Sequence, residues 1–404
     1  MRLRLTSRKA IGAMVLMGGV IASACSSSTT SSSTTAASGG SSNTPNITAT
    51  SFTNDFSVMT QLKSLAAEGK GKIAVILPDT VSSARYTQFD APYLQESFTK
   101  AGLPSSDFII QNAQGSDSTQ LTDAQSDITA GASVLVVDPL DSGTGTAIEN
   151  YAKQHGVPVI DYDRLTLGGT RDYYVSFNNV EVGKLIGQGM VSCVAAWHVT
   201  KPNMIVMTGS PTDNNATLFA QGYNGVLDPK FASAGWVKAA TPAGTWTPAT
   251  ALTEFQQAYA AHPGVNSALV PNDENAAPII QWLQGQGVKP QTFPITGQDA
   301  TTVGLQNILS GYQCGTAYKP IYLEAQAAAT LALYLRAGKT PPAGLVNGTT
   351  QDTTAHVAVK SVLLTPEWVT AQTMESTVIK DKFVTPAELC TSAFAADCTK
   401  YGIS

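Results

Sequence analysis

Polar side chains recur where apolar runs of the chain end: Asp163-Arg164, Asp213-Asn214-Asn215, Asn272-Asp273, Gln298-Asp299 and Lys319. These sets combine carboxylates, amides and cations, and none contains a nucleophile. Their chemistry is recognition of a ligand, not bond breaking. A polyhydroxylated ligand needs this mixture, because each hydroxyl donates one hydrogen bond and accepts others. Carboxylates and amide oxygens take its proton; Arg85, Arg164, Lys319 and amide nitrogens donate to its oxygen. Asp163 beside Arg164 should orient one planar fork for two neighbouring hydroxyls, with Asp299 and Lys319 forming a second. Tyr86 and Trp246 offer aromatic faces for the apolar C–H faces of a ring. Helix capping is the competing account of Asp213 or Asn272 taken singly; recurrence at one edge favours a site.

The elements that must position these groups alternate between strands and helices. Short apolar runs bounded by turn residues read as buried parallel strands, predicted at 72–77, 108–111, 133–138, 157–161 and 173–177. Amphipathic helices fit between them at 86–101, 119–131 and 143–155, preceded by one near 56–67. A second series follows, with strands near 204–208, 236–240, 267–271, 293–298 and 315–318. Its helices lie near 181–194, from Asn214 to about 227, 248–261, 276–286 and 302–310. The fold class is therefore α/β, with two doubly wound, Rossmann-like lobes. A further helix at 322–337, a Pro/Gly/Thr loop and a strand at 357–364 exceed the needs of the second lobe. They should return to the first before the chain crosses again, making a three-strand hinge. The expected lobes are 53–176 plus 320–364 and 177–319 plus 365–404. In such sheets ligands bind beyond the carboxyl ends of the strands.

The chain has 404 residues, 43% of them hydrophobic and only 13% charged, enough for two compact domains. Residues 1–25 have a basic start, an apolar run from Ile11 to Ile21, and Ala22-Ser23-Ala24 before Cys25. That run is too short to span a bilayer and has the layout of an export signal. Cys25 is the expected lipidation site, plain secretion being the alternative. Residues 26–52 are rich in Ser and Thr and read as a flexible tether. Losing the four basic residues of the leader lowers the formal net charge from −5 to −9. An acidic exported chain has no general attraction for nucleic acid or anionic lipid. Four cysteines remain, and export permits disulfides among them in three pairings. Cys390 with Cys398 is favoured because the intervening segment can turn back on itself, and Cys193 with Cys314 then follows by elimination; free thiols are the alternative. No metal site and no cofactor is expected, since Cys-x-x-Cys is absent.

Catalysis is disfavoured. Asp163 with Asp213 or Asp299 could pair, but a glycosidase keeps one acid protonated in an apolar pocket. There is no Gly-x-Ser-x-Gly and no His-Glu-x-x-His, and none of the four histidines stands at a strand end.

Ser83-Ala84-Arg85-Tyr86, Tyr162-Asp163-Arg164-Leu165, the stretch Gly209-Ser-Pro-Thr-Asp-Asn-Asn-Ala216, Gly297-Gln298-Asp299-Ala300 and Tyr318-Lys319-Pro320 closely resemble, in order and spacing, the periplasmic xylose-binding proteins. These are type I solute-binding proteins of sugar ABC importers, and a related branch binds several aldoses and feeds a chemoreceptor or virulence sensor. The resemblance covers roughly residues 72–383. It implies sugar contacts from Arg85, Asp163 and Arg164 in one lobe and Asp213, Asn215, Asn272, Asp299 and Lys319 in the other. Tyr86 stands where those proteins have a tryptophan, and Trp246 matches a tryptophan closing the other face. Thr247-Pro248-Ala249-Thr250 looks more like the multi-sugar branch. The implied protein is a monomeric, lipid-anchored, extracytoplasmic receptor that delivers one monosaccharide, xylose or a close aldose, to an ABC permease. The alternative partner is a chemoreceptor or membrane kinase. A repressor of the same fold is disfavoured by a leader where a DNA-binding headpiece would stand.

Overall fold

The structure is a computed structural model, and it describes residues 45–404. Cys25, the leader and most of the expected tether lie outside the described residues. The rest of that tether, 45–52, is folded: Ile47, Ala49 and Phe52 are buried in the core, and the carbonyl of Pro45 accepts a bond from the Tyr334 hydroxyl. A tether reaching residue 52 is therefore corrected. Three apolar side chains among the polar ones are enough to dock it.

Five parallel strands open the chain, β1 (Lys72–Leu77), β2 (Phe108–Asn112), β3 (Ala132–Val137), β4 (Val159–Tyr162) and β5 (Tyr173–Phe177). Residues 73–77 of β1 and all of β4 and β5 are buried, as continuous apolar runs covered on both faces require. The second series comprises β6 (Asn203–Val206), β7 (Val237–Ala240), β8 (Ser267–Leu269), β9 (Thr296–Gln298) and β10 (Gly315–Tyr318). The chain closes with β11 (Gly348–Asp352), β12 (Val357–Leu364) and β13 (Glu367–Val369).

The first sheet has the order β11-β12-β5-β4-β3-β1-β2, with only β11 antiparallel to its neighbour. Strand β11 falls in the segment expected to be loop. The second lobe holds two three-stranded sheets, β7-β6-β8 and β13-β10-β9, joined by a parallel bridge from Ala268 to Ile295. Its edge strand β13 runs antiparallel to β10.

The helices in order are α1 (Lys63–Glu68), α2 (Ala91–Lys100), α3 (Asp117–Thr129), α4 (Ser142–Gln154), α5 (Asn179–Ala196), α6 (Asn214–Ser233), α7 (Pro248–Ala261), α8 (Asp273–Gly285), α9 (Thr302–Leu309), α10 (Ile321–Arg336), α11 (Pro386–Leu389) and α12 (Ala395–Tyr401). The helix expected over 56–67 splits into a 3₁₀ turn, Ser57–Leu62, and α1. α5 packs on α6 and the second lobe, α10 on α2 and the first sheet. The chain thus passes between lobes after β5, after β10 and after β12. α5 and α6 touch backbone to backbone at two glycines: a Cβ on Gly183 would stand 2.0 Å from the Phe219 carbonyl oxygen, and one on Gly222 2.2 Å from that of Val180.

The C-terminal segment does not finish wholly on the second lobe. Phe383 stacks at 3.9 Å on Phe89, just ahead of α2, and Asn54 donates to the Asp381 carbonyl. Disulfides join Cys193 to Cys314 and Cys390 to Cys398. No helix among the described residues is long and apolar enough to cross a membrane.

Candidate functional site

Strand β4 ends at Tyr162, and Asp163 then takes a left-handed backbone conformation, φ 57°, that aims its side chain into the gap between the lobes. At the end of β9 Asp299 and Ala300 are left-handed too, φ 88° and 51°. Side chains other than Gly rarely adopt this conformation, and it concentrates at functional positions. Asp273 braces that second turn from behind, accepting from the Thr301 amide at 2.9 Å and from Gln313 Nε2 at 2.7 Å. Of the Asn272-Asp273 pair, only Asn272 faces the gap.

Arg85, Tyr86, Asp163, Arg164, Asp213, Asn215, Trp246, Asn272, Asp299 and Lys319 all line one cavity. The ten residues singled out in the sequence are thus brought together, from both lobes. Ser82, Ser83, Phe219 and Gln298 complete the wall. The first two and Gln298 neighbour predicted positions, but Phe219, on α6, carried only the signal of an ordinary core residue. The space left between these side chains is small, about 30 Å³, room for about two water molecules.

The ion pairing differs from the expected forks. Arg164 does not pair with its neighbour; its Nε lies 3.6 Å from Asp213 across the gap and 3.8 Å from Asp138 behind it. Asp163 belongs to Arg85, at 2.9 Å from Nη1, and accepts from the Tyr86 hydroxyl at 3.1 Å. Adjacent residues leaving a strand diverge, so each finds a partner distant in sequence. Lys319 does pair with Asp299, at 3.1 Å, and it also reaches Asp163 at 3.8 Å. Arg85 is gripped from behind by Asp90, at 2.7 and 2.8 Å, and by Glu324 at 2.5 Å.

Burial opposes the charge on Asp163, but Arg85, Lys319 and Arg164 outweigh it and hold the carboxyl at about 2. Burial raises Asp213, with Arg164 opposing. Glu324, buried against Asp163 and Asp90 and only partly offset by Arg85, is pushed up to about 8. Burial likewise pushes Asp138 well above the carboxylate range. For Lys319, burial favours the neutral form, but Asp299 and Asp163 prevail and keep it charged.

The aromatic residues have unequal roles. Both the Arg85 and Arg164 guanidinium carbons sit 5.6 Å from the Tyr86 ring centroid, and the ring is almost fully buried. Tyr86 orients the arginines more than it offers a stacking face. Trp246 is the half-buried wall; its Nε1 donates to Asp213 at 2.9 Å and its ring meets Phe219 edge-on. Asn215 is spent on structure: its Nδ2 donates to the Asp163 carbonyl, while its Oδ1 accepts from Asn179 and Tyr174. Asp213 and Asn272 cap α6 and α8 and line the cavity as well, so capping and site geometry coexist. Gln298 Oε1 is buried without a hydrogen-bond partner among the described residues, an acceptor ready for a donor brought by a ligand, and Asp299 Oδ1 has only the Lys319 ammonium, 3.1 Å away.

A protein-family profile described as a periplasmic binding protein domain matches residues 41–340. The chain is 35% identical over 286 residues to the D-xylose-binding periplasmic protein of Escherichia coli, a match covering 69% of this chain and 82% of that protein. It is 30% identical over 329 residues to the multiple sugar-binding periplasmic receptor ChvE of Rhizobium radiobacter, covering 78% and 91%. Among solved structures, the carbohydrate transporter solute binding protein from Chloroflexus aurantiacus in complex with D-glucose superposes with a TM-score of 0.69 at 25% identity, over 78% of this chain and 97% of that one.

Proposed function

The chain belongs to the periplasmic binding protein family, and on that premise we propose that it is the extracytoplasmic substrate-binding lipoprotein of an ABC sugar importer, closing its lobes over one monosaccharide, xylose or a close aldose. The carrying observation is the single cavity into which both lobes send carboxylates, cations, amides and an indole ring. A ligand shifts a closure equilibrium only through contacts stronger in the closed form, and contacts from two lobes supply that difference. A micromolar dissociation constant corresponds to about −8 kcal/mol, within reach of several charge-assisted hydrogen bonds and one stacked ring after ordering costs.

Binding without turnover follows from the same groups. Asp163 is held ionised at about 2, unsuited to a general acid, and the cavity wall contains no histidine to activate Ser82 or Ser83. We assign the lobes as 45–176 plus 320–364 and 177–319 plus 365–404, the last segment also touching the first lobe through Asp381 and Phe383. The similarity to a protein named as a sugar receptor supports a second reading, delivery of the same signal to a chemoreceptor or membrane kinase.

Calorimetric titration with a panel of pentoses and hexoses tests the assignment: D-xylose or a near relative binds, and failure of every neutral aldose refutes it. Loss of uptake in a deletion strain separates transport from sensing. Mass analysis of the native protein should find Cys25 lipidated and first; an intact leader would overturn the anchor.

A further inference from the structure

Glu274, in the first turn of α8, was not among the residues singled out in the sequence, and it is absent from the cavity wall. It reaches across the mouth of the gap. Its Oε1 accepts from the Ala84 amide at 3.0 Å and from Ser83 Oγ at 3.1 Å, both on the first lobe, and its Oε2 accepts from Asn272 Nδ2 at 3.0 Å on its own lobe. Asn272 Nδ2 also lies 3.3 Å from the Ser82 carbonyl, and Ser83 Oγ 3.2 Å from Asp299 Oδ2. One carboxyl group thus gathers the Ala84 amide of the first lobe, its neighbouring hydroxyl and the amide side chain of a cavity residue.

We propose that Glu274 is a positioning residue that latches the lobes shut and so sets how long a ligand stays bound, without touching it. This rests on the reading of the cavity as a sugar site. Bonds that form only on closure add to the closed state alone, so they act on dissociation more than on encounter. The latch also places Ser83 against Asp299, tying closure to a cavity carboxylate. Glu274 is partly exposed at the rim and belongs to no core cluster, so its replacement leaves the fold intact.

The test is stopped-flow tryptophan fluorescence and calorimetry with D-xylose, or with whichever aldose the panel shows to bind, on the full mature protein. Removing its two bonds to the first lobe predicts dissociation about tenfold faster in Glu274→Ala, with association changed less than about threefold. Glu274→Gln keeps an oxygen that accepts from Ala84 and Ser83, and it restores slow dissociation. X-ray scattering at saturating sugar should show Glu274→Ala less compact than wild type. Unchanged dissociation in Glu274→Ala, or Glu274→Gln as fast as Glu274→Ala, overturns the latch while leaving the sugar site standing. A wild-type protein that binds no aldose overturns both.

Discussion

Trp246 lies directly on Gly209, which follows β6 as the chain turns toward α6. A Cβ built on Gly209 would stand 2.1 Å from Cζ2 and 2.3 Å from Cη2 of the indole, whereas ordinary contact begins near 3.4 Å. Gly209→Ala therefore forces the ring about 1.3 Å away, the difference between those two distances. The bond from Trp246 Nε1 to Asp213, now 2.9 Å, stretches beyond hydrogen-bond range. A bond to a charged group contributes about 1.5–3 kcal/mol, and a displaced stacking ring about 0.5–1.5 kcal/mol more. The bond joins two residues of the second lobe, so its loss shows as lower stability, while the displaced ring lowers aldose affinity roughly two- to tenfold. Calorimetry reads the change directly, with quenching of Trp246 fluorescence as a second signal. Gly225→Ala, in α6 with nothing within 4 Å of the new methyl, is the control: it should keep full affinity and gain slightly in stability. Affinity and thermal midpoint both unchanged in Gly209→Ala would refute the reasoning.

Arg164→Ala and Asp299→Ala should each weaken aldose binding at least about tenfold, a loss of about 1.4 kcal/mol, with the fold retained; calorimetry showing unchanged affinity in both refutes the site. Binding should also weaken as pH rises. Burial, then Asp299 and Asp273, push Glu274 from an ordinary 4.5 up to about 8 in the closed form, so closure takes up a proton; Lys319, beside Asp299, is the facing cation. A raised carboxyl favours the closed state fully below its open-state value and loses that contribution as pH climbs through the closed-state one. Affinity should fall between about pH 5 and 8, modestly because the carboxyl is partly exposed, and Glu274→Gln should flatten the profile. Among the disulfides, Cys193–Cys314 spans 121 residues and Cys390–Cys398 eight. Loop-closure entropy gives about 4.9 and 2.5 kcal/mol respectively, so replacing the first pair with alanines should lower the thermal midpoint more than replacing the second; the reverse order refutes the estimate.

The strands and the ligand edge were legible because buried parallel strands leave continuous apolar runs, and the polar residues that end them must face one rim. The pairing across that rim was not. Arg164 follows Asp163 in the chain yet pairs with Asp213, a choice made by the approach of two lobes that no local pattern encodes. Glu274 was hidden because an acid in the first turn of a helix reads as a favourable partner of the helix dipole. Strand β11 was missed for a related reason: Gly348-Thr-Thr-Gln-Asp352 has turn composition, and it becomes a strand only because β12 offers an edge. Residues 45–52 look like tether by composition, while Ile47 and Phe52 find a core assembled from segments far along the chain.

The charges in the cavity explain why a neutral ligand suits it. Arg85, Arg164 and Lys319 face Asp90, Asp138, Asp163, Asp213, Asp299 and Glu324, an excess of carboxyls that burial makes untenable if all are ionised. Glu324, pushed up to about 8, relieves part of the excess by holding its proton at neutral pH, and burial drives Asp138 in the same direction. Asp163 stays ionised because the cations converge on it. What remains is close to balanced, each charge holding a protein partner before any ligand arrives. The ligand then has no formal charge to supply; it has only to fill the remaining lone pairs, such as those of Gln298 Oε1, and hydroxyl groups do that without adding an ion that lacks a partner.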